Sequence, residues 1–305
     1  MGITLFKQPE LEKPALLCGW PGIGNIGIIA VDTLKGELRA EEFGEIEPWD
    51  FFYPEKVSIK DGLLKDLEFP TNKFYYKRLG KRDLIFFIGE QQPSEGGRMY
   101  ASGAKAYQMA NLVLDVAEKF GCHRVYTSGA CVSPIHHTMK PRVVSVVSSR
   151  NLIQEVNSYP NTILISEMGG GESEGVITGL NGLLLAVAKK RGLEGISLMG
   201  EIPDWLSNSP FPYPKASKLV LEVFAGILGV EIDFGILDRM IAQIEEIVER
   251  IYEAFPAEIK DRYDQRKLAI QVKLGGITEQ DARWIKEHID ELFKKRGKQG
   301  GERPI

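Results

Sequence analysis

The chain has 305 residues, 43% of them hydrophobic and 26% charged, with a formal net charge of −4 and a pI near 5.8. This is ordinary globular composition with length enough for a large core, and the acidic balance argues against general nucleic-acid binding. Apolar runs such as Leu180 to Ala188 are too short to span a bilayer, and the N-terminus lacks the basic segment and apolar core of a signal peptide. Cys18, Cys122 and Cys131 are irregularly spaced without a C-x-x-C pair, so free thiols in a reducing cytoplasm are expected.

In chain order, Ala15 to Cys18 reads as a short buried strand and Ile28 to Leu38 as an amphipathic helix. Phe43 to Glu47 follows as a strand stopped by Pro48, then the aromatic cluster Trp49, Phe51, Phe52 and Tyr53, which suits a core more often than an interface. Val57 to Ile59 and Phe69 to Tyr76 read as two strands of a meander around Asp61-Gly62. Leu84 to Ile88 is a buried strand ending in Gly89-Glu90, followed by a helix from about Met99 to Phe120 with Gly121 as its C-cap. Further strands are expected at Arg124 to Ser128, Val143 to Val147, Thr162 to Ser166 and Gly195 to Met199, with a helix from about Gly179 to Arg191. This rhythm reads as an α/β fold with helices covering a largely parallel sheet.

After Trp205 the character changes. Ser209 to Pro214 is a proline-rich boundary, and Lys215 to Leu228 is helical. Asp233 to Phe255 is a long helix with Met240, Ile244 and Ile251 on its apolar stripe, and Glu279 to Lys295 is a last helix with Trp284 and Ile289 on one face. These five residues are the candidates for contact with a partner or a second copy. The expected division is an α/β core at 1–230, a helical extension at 231–296 and a flexible tail at 297–305.

Gly22, Gly24 and Gly27 spell G-x-G-x-x-G between the first strand and the first helix. In a dinucleotide fold such glycines admit a pyrophosphate to a helix N-terminus, and an acid about 20 residues on grips the ribose; Glu41, Glu42 and Glu47 stand near that distance. Trp20 and Pro21 intrude before the turn, however, and no second strand–helix unit follows. A tight turn with close helix–sheet packing explains the same glycines. Ligands of open α/β sheets gather outside the carboxyl ends of the strands. That rule makes Gly22, Gly24, Asn25, Glu90, Arg98 and Glu201 the candidate ligand residues, with Arg98 as an anion fork and Glu90 and Glu201 as acid–base groups if burial raised a pKa. His136-His137 lacks metal-ligand spacing, and Cys131 lacks an activating pattern, so neither a metal nor a catalytic residue is assigned.

Gly19-Trp20-Pro21-Gly22 with Gly24 and Gly27, the stretch Arg124 to Ala130, the run Gly175 to Leu185, Gly200-Glu201-Ile202-Pro203 and Pro212 to Ser217 together resemble the proteasome assembly chaperone 2 family. The resemblance covers about Pro14 to Phe255. It implies a three-layer α/β/α core similar to nucleoside phosphorylases and hydrolases, with C-terminal helices. It also implies homo-oligomers that assemble the proteasome α-ring in archaeal members. No cofactor, and neither nucleic acid nor membrane as a partner, is expected. Several such chaperones dock through a C-terminal hydrophobic-Tyr-x tail; the last four residues here are Glu302-Arg303-Pro304-Ile305, without that tyrosine, which turns attention to other surfaces. The expected function is a non-enzymatic assembly chaperone in the cytoplasm. The competing reading is an enzyme or sensor that binds a small anionic or nucleoside-like ligand in the crevice.

Overall fold

The computed structural model describes residues 2–53, 57–80, 82–95, 100–168 and 175–273, with side chains described to residue 270. In chain order the elements are β1 (Ile3–Leu5), β2 (Ala15–Gly19), α1 (Ile26–Glu37), β3 (Glu41–Ile46), β4 (Ile59–Lys60), β5 (Leu63–Leu64), β6 (Asn72–Lys77), β7 (Leu84–Gly89) and α2 (Gly103–Lys119). They continue with β8 (Arg124–Ser133), β9 (Val143–Val147), α3 (Ile153–Asn157), β10 (Thr162–Leu164), α4 (Gly179–Lys190), β11 (Glu194–Pro203), α5 (Pro214–Leu228), α6 (Gly235–Glu253) and α7 (Ala257–Lys273).

Nine strands form one sheet in the order β1-β3-β6-β7-β2-β8-β11-β9-β10. The four central strands β7, β2, β8 and β11 are parallel. β6, β3 and β1 extend one side antiparallel, and on the other β9 is antiparallel to β11 with β10 parallel to β9. The centre reads as continuous apolar runs because it is covered on both faces. Residues alternate along β2: Ala15 and Leu17 pack with α1 and α5, whereas Leu16 and Cys18 pack with α2 and α4. The expected three-layer α/β core with a parallel centre is therefore present. α6 seals the outside of the first layer, where Leu237 and Val248 join the same cluster as α5.

Several expectations are corrected in detail. The Asp61-Gly62 turn does not link a strand to β6. It closes a separate two-stranded ribbon of β4 and β5, since positive φ at both residues (53° and 78°) suits a tight two-residue hairpin. α2 begins at Gly103, because φ of +77° there cannot continue a helix from further upstream; Met99 lies outside the described residues. β8 and β11 run past Ser128 and Met199 and pair in register over ten residues each. Gly129 and Gly200, read as strand ends, lie inside these strands where neighbours approach closely: an added Cβ would meet Asn181 Nδ2 at 2.6 Å and the Ala216 side chain at 2.8 Å. β10 stops at Leu164 rather than Ser166. The aromatic cluster divides: Phe51 and Phe52 are buried, while Trp49 and Tyr53 are exposed. The stretch 257–273, left without an element in the sequence reading, is helical, whereas the expected helix at 279–295 lies outside the described residues.

Candidate functional site: a cleft at the strand carboxyl ends

β2 leads through α1 towards β3 on one side of it, and its neighbour β8 leads on to β9 on the other. These two connections diverge between β2 and β8, which creates a crevice at their carboxyl ends. A cleft of about 370 Å³ opens there. Its walls are the turn after β2 (Trp20, Gly22, Ile23), the middle of β8 (Ser128 to Val132) and the start of α4 (Thr178, Asn181), with Val176 and Ile177 across the mouth.

Each glycine of the motif has its own role. Gly24 adopts φ +57° and Asn25 φ +49°, so the chain turns through the left-handed region before α1 starts. Gly27 lets α1 touch β8: a Cβ there would lie 2.1 Å from the Ser128 carbonyl oxygen. Gly22 is extended and has open space where a side chain would be. The two motif glycines at 24 and 27 are thus spent on a turn and a helix–sheet contact. The acids considered as ribose partners lie elsewhere, with Glu41 paired to Lys7 at 3.1 Å and Glu42 to Lys73 at 3.0 Å.

Gln92 ties the cleft walls together. Its Nε2 donates to the Pro21 carbonyl at 2.7 Å, while its Oε1 accepts from the amides of Leu180 (3.1 Å) and Ala101 (3.3 Å). One side chain so fixes the turn after β2, the segment before α2 and the first turn of α4. Sequence reasoning missed Gln92 and Asn181. Their only local signal is a polar amide in a glycine-bounded segment, Gly179-Leu180-Asn181-Gly182, and an amide just past a strand end.

Of the six residues proposed from sequence, the five described do not gather. Gly22 lines the cleft, while Gly24 packs beside Tyr213 and Ile202, and Asn25 precedes α1 in the left-handed region without a side-chain cap. Glu90 is exposed and accepts from the Thr71 amide at 2.8 Å. Arg98 lies outside the described residues. Glu201 is wholly buried within β11 and saturated. Arg142 Nη2 and Ser133 Oγ donate to its Oε1 (2.8 and 3.1 Å), and the Arg142 Nε and amide donate to its Oε2 (2.9 and 2.8 Å). With both oxygens engaged, this carboxylate is built as a structural anchor. Cys131 lines the cleft, and burial pushes its thiol up to about 11, the opposite of nucleophile activation.

A second cavity of about 420 Å³ lies between the loop after β8 and α6, lined by His137, Tyr213, Lys215, Ile241 and Ile244 among others. Beside it the rings of His136, His137, Trp205, Tyr252 and Phe255 stack where α6 meets α7. His137 Nε2 meets Glu249 at 3.0 Å, and His136 Nε2 lies 3.4 Å from Asp264. Of the candidate interface residues, Met240 and Ile244 are half-buried against the core and Ile251 is exposed; Trp284 and Ile289 lie outside the described residues. Among the described residues no cluster of three or more potential ligands is placed to hold a metal ion, and no helix is long and apolar enough to cross a membrane.

A family model described as the PAC2 family matches residues 16–252. The chain belongs to the PAC2 family. An uncharacterized protein of Methanocaldococcus jannaschii is 31% identical over 242 residues, spanning 79% of this chain and 84% of that protein. Among solved structures, Pyrococcus furiosus PbaB, described as an archaeal proteasome activator, matches with a TM-score of 0.68 and 30% identity, over 82% of this chain and 98% of PbaB. Pyrococcus furiosus PbaA, described as an archaeal homolog of proteasome-assembly chaperone, matches with a TM-score of 0.59 and 23% identity, over 83% of this chain and 97% of PbaA, and so shares the fold. The PAC2 match thus spans β2 to nearly the end of α6, and takes in the cleft and all of the histidine–aromatic cluster but Phe255.

Proposed function

We propose that this PAC2 protein is a non-enzymatic, homo-oligomeric binding protein of proteasome α-subunits or closely related partners, working in the cytoplasm without a cofactor. The observation that carries this reading is the likeness to PbaB at 30% identity over nearly all of that chain. Two physical features support it. Two buried groups near the strand ends are unsuited to chemistry, Glu201 because four hydrogen bonds engage it and Cys131 because burial raises its thiol pKa. The surface, in contrast, carries apolar groups that folding leaves in water. Ile59, Leu63 and Leu64 on the β4–β5 ribbon are 69%, 73% and 75% exposed, with Trp49, Val57 and Leu67 also exposed near them in sequence. A monomer gains nothing from such a ribbon, whereas a protein that covers it gains roughly 25 cal/mol for each Å² of apolar surface removed from water.

We assign the ribbon to the proteasomal partner. The part of the α6 apolar stripe that the core leaves uncovered, at Ile251 and the half-buried Met240 and Ile244, is assigned to contact between copies, and Trp284 and Ile289 extend that assignment beyond the described residues. The test is a pull-down of the tagged protein from its own cells, with α-subunits identified by mass spectrometry and the protein's mass measured by light scattering. Recovery of α-subunits by a defined oligomer supports the reading. A monomer that recovers none overturns it.

A further inference from the structure

Three residues that line the cleft each carry a buried polar side-chain atom without a hydrogen-bond partner: Trp20 Nε1, Ser128 Oγ and Asn181 Oδ1. Trp20 and Ser128 are 3% and 1% exposed. A buried polar atom left unpaired is destabilising, so three of them around one cavity depart from the usual satisfaction of interior groups. The neighbouring Gln92, in the same wall, spends both ends of its amide on backbone groups. The cleft is therefore braced by one side chain while three others are left uncommitted.

We propose that this cleft binds a small uncharged molecule with an amide-like hydrogen-bonding edge, of the class of nucleobases and carboxamides. The lining sets the chemistry. The indole Nε1–H only donates, so it asks for an acceptor; the Asn181 amide both donates and accepts, whichever way round it sits; the Ser128 hydroxyl does either. Together they offer both donors and acceptors, the capacity that an edge with a carbonyl beside an N–H would use. Ile23, Val176, Ile177 and Met199 offer apolar flanks to a flat ring, and Gly22 leaves space at the entrance. None of the described lining residues is charged. An ionised ligand would lose its water without gaining a counter-charge from these groups, an unfavourable exchange. The site also lies at the crevice where connections from the sheet diverge, the place at which open α/β sheets hold ligands. This narrows the expected anionic or nucleoside-like ligand to an uncharged one, and it does not depend on α-subunit binding.

The test is isothermal titration of the full-length protein with uracil, hypoxanthine and nicotinamide, with inorganic phosphate as the charged comparison. At least one of the three uncharged probes is expected to bind at one site per chain. Ser128→Ala and Asn181→Leu are each expected to weaken that binding about tenfold, as the loss of one hydrogen bond implies. Ser128→Ala removes an unpaired buried hydroxyl, so its melting temperature should be unchanged or higher, which separates lost binding from lost folding. No binding by any of the three probes overturns the proposal. So does binding that both variants leave intact, or binding of phosphate alone.

Discussion

At the residue scale, the protein separates polar groups that are saturated from groups that are not. Glu201 and Arg142 form the saturated extreme. Removing the guanidinium strands a fully buried carboxylate, and breaking a buried pair from one side costs about 3–5 kcal/mol. Arg142→Ala is therefore expected to lower stability by about that amount in urea titration, whereas Arg142→Lys should lose less because one donor remains. A variant as stable as the parent would show that Glu201 has other means of neutralisation. Gly27 makes a second case. A methyl group 2.1 Å from the Ser128 carbonyl forces α1 away from β8, so Gly27→Ala should destabilise by about 1–3 kcal/mol in thermal melts. Gly22→Ala meets nothing within 4 Å and is expected to be close to neutral. The sequence motif could not rank these glycines, since spacing alone carries no information about which one faces β8. Glu201 was misread for a related reason. Gly200-Glu201 looks like a strand end, and only ten-residue pairing with β8 shows that it lies within β11.

At the scale of elements, the α6–α7 corner is sensitive to acid. Burial holds the His136 imidazole down to about 4, and His137 is lowered too, chiefly by burial. Asp264 and Glu249 pull the other way, while Lys215 and Lys267 reinforce the depression. Because the folded pKa lies below the unfolded one, the unfolded state takes up the proton more readily. Stability is thus full above about pH 6.5 and falls as the pH drops towards 4. His136→Phe should flatten that fall in melting temperature between pH 7 and pH 4.5; an unchanged profile would assign the acid sensitivity to other groups. The long amphipathic α6 and the central strands were legible because one periodic apolar pattern serves both helix and core. α7 was not legible, because its sequence Ala257 to Lys273 is dominated by charge and its helix is secured by contacts such as Tyr252 with Asp264 and Arg266 with Asp204. The ribbon was half legible. Asp61-Gly62 announced a tight turn, but the strands it joins came out shorter and further from the sheet than the apolar letters suggested.

At the scale of the whole molecule, the parallel centre places the cleft at one end of β2 and β8. Arg124 lies at the other end of β8, bound by Glu155 and Glu194. The two cores, one on each face of the sheet, are built from the same alternating strands, which is why fold class followed from sequence while the ligand residues did not. Fold class needs only which residues are apolar. The cleft needs to know which polar atoms lack partners, and that depends on contacts between residues as distant in sequence as Pro21, Gln92 and Leu180. Association is expected to use surfaces remote from those contacts. Ile251→Glu on α6 should reduce the oligomer seen in light scattering without altering the far-ultraviolet circular dichroism, and an unchanged mass would move the contact off that face. Leu63→Ser with Leu64→Ser on the ribbon should leave the oligomer intact and weaken partner binding.

The most direct measurement is a titration of the purified protein with recombinant proteasome α-subunits, followed by size-exclusion chromatography with light scattering. The account predicts a complex of defined mass that forms with the parent protein and is lost or weakened at least about tenfold in the Leu63→Ser, Leu64→Ser double variant, as expected when two exposed apolar anchors are removed from an interface. Separate elution of the two proteins at every ratio would contradict it.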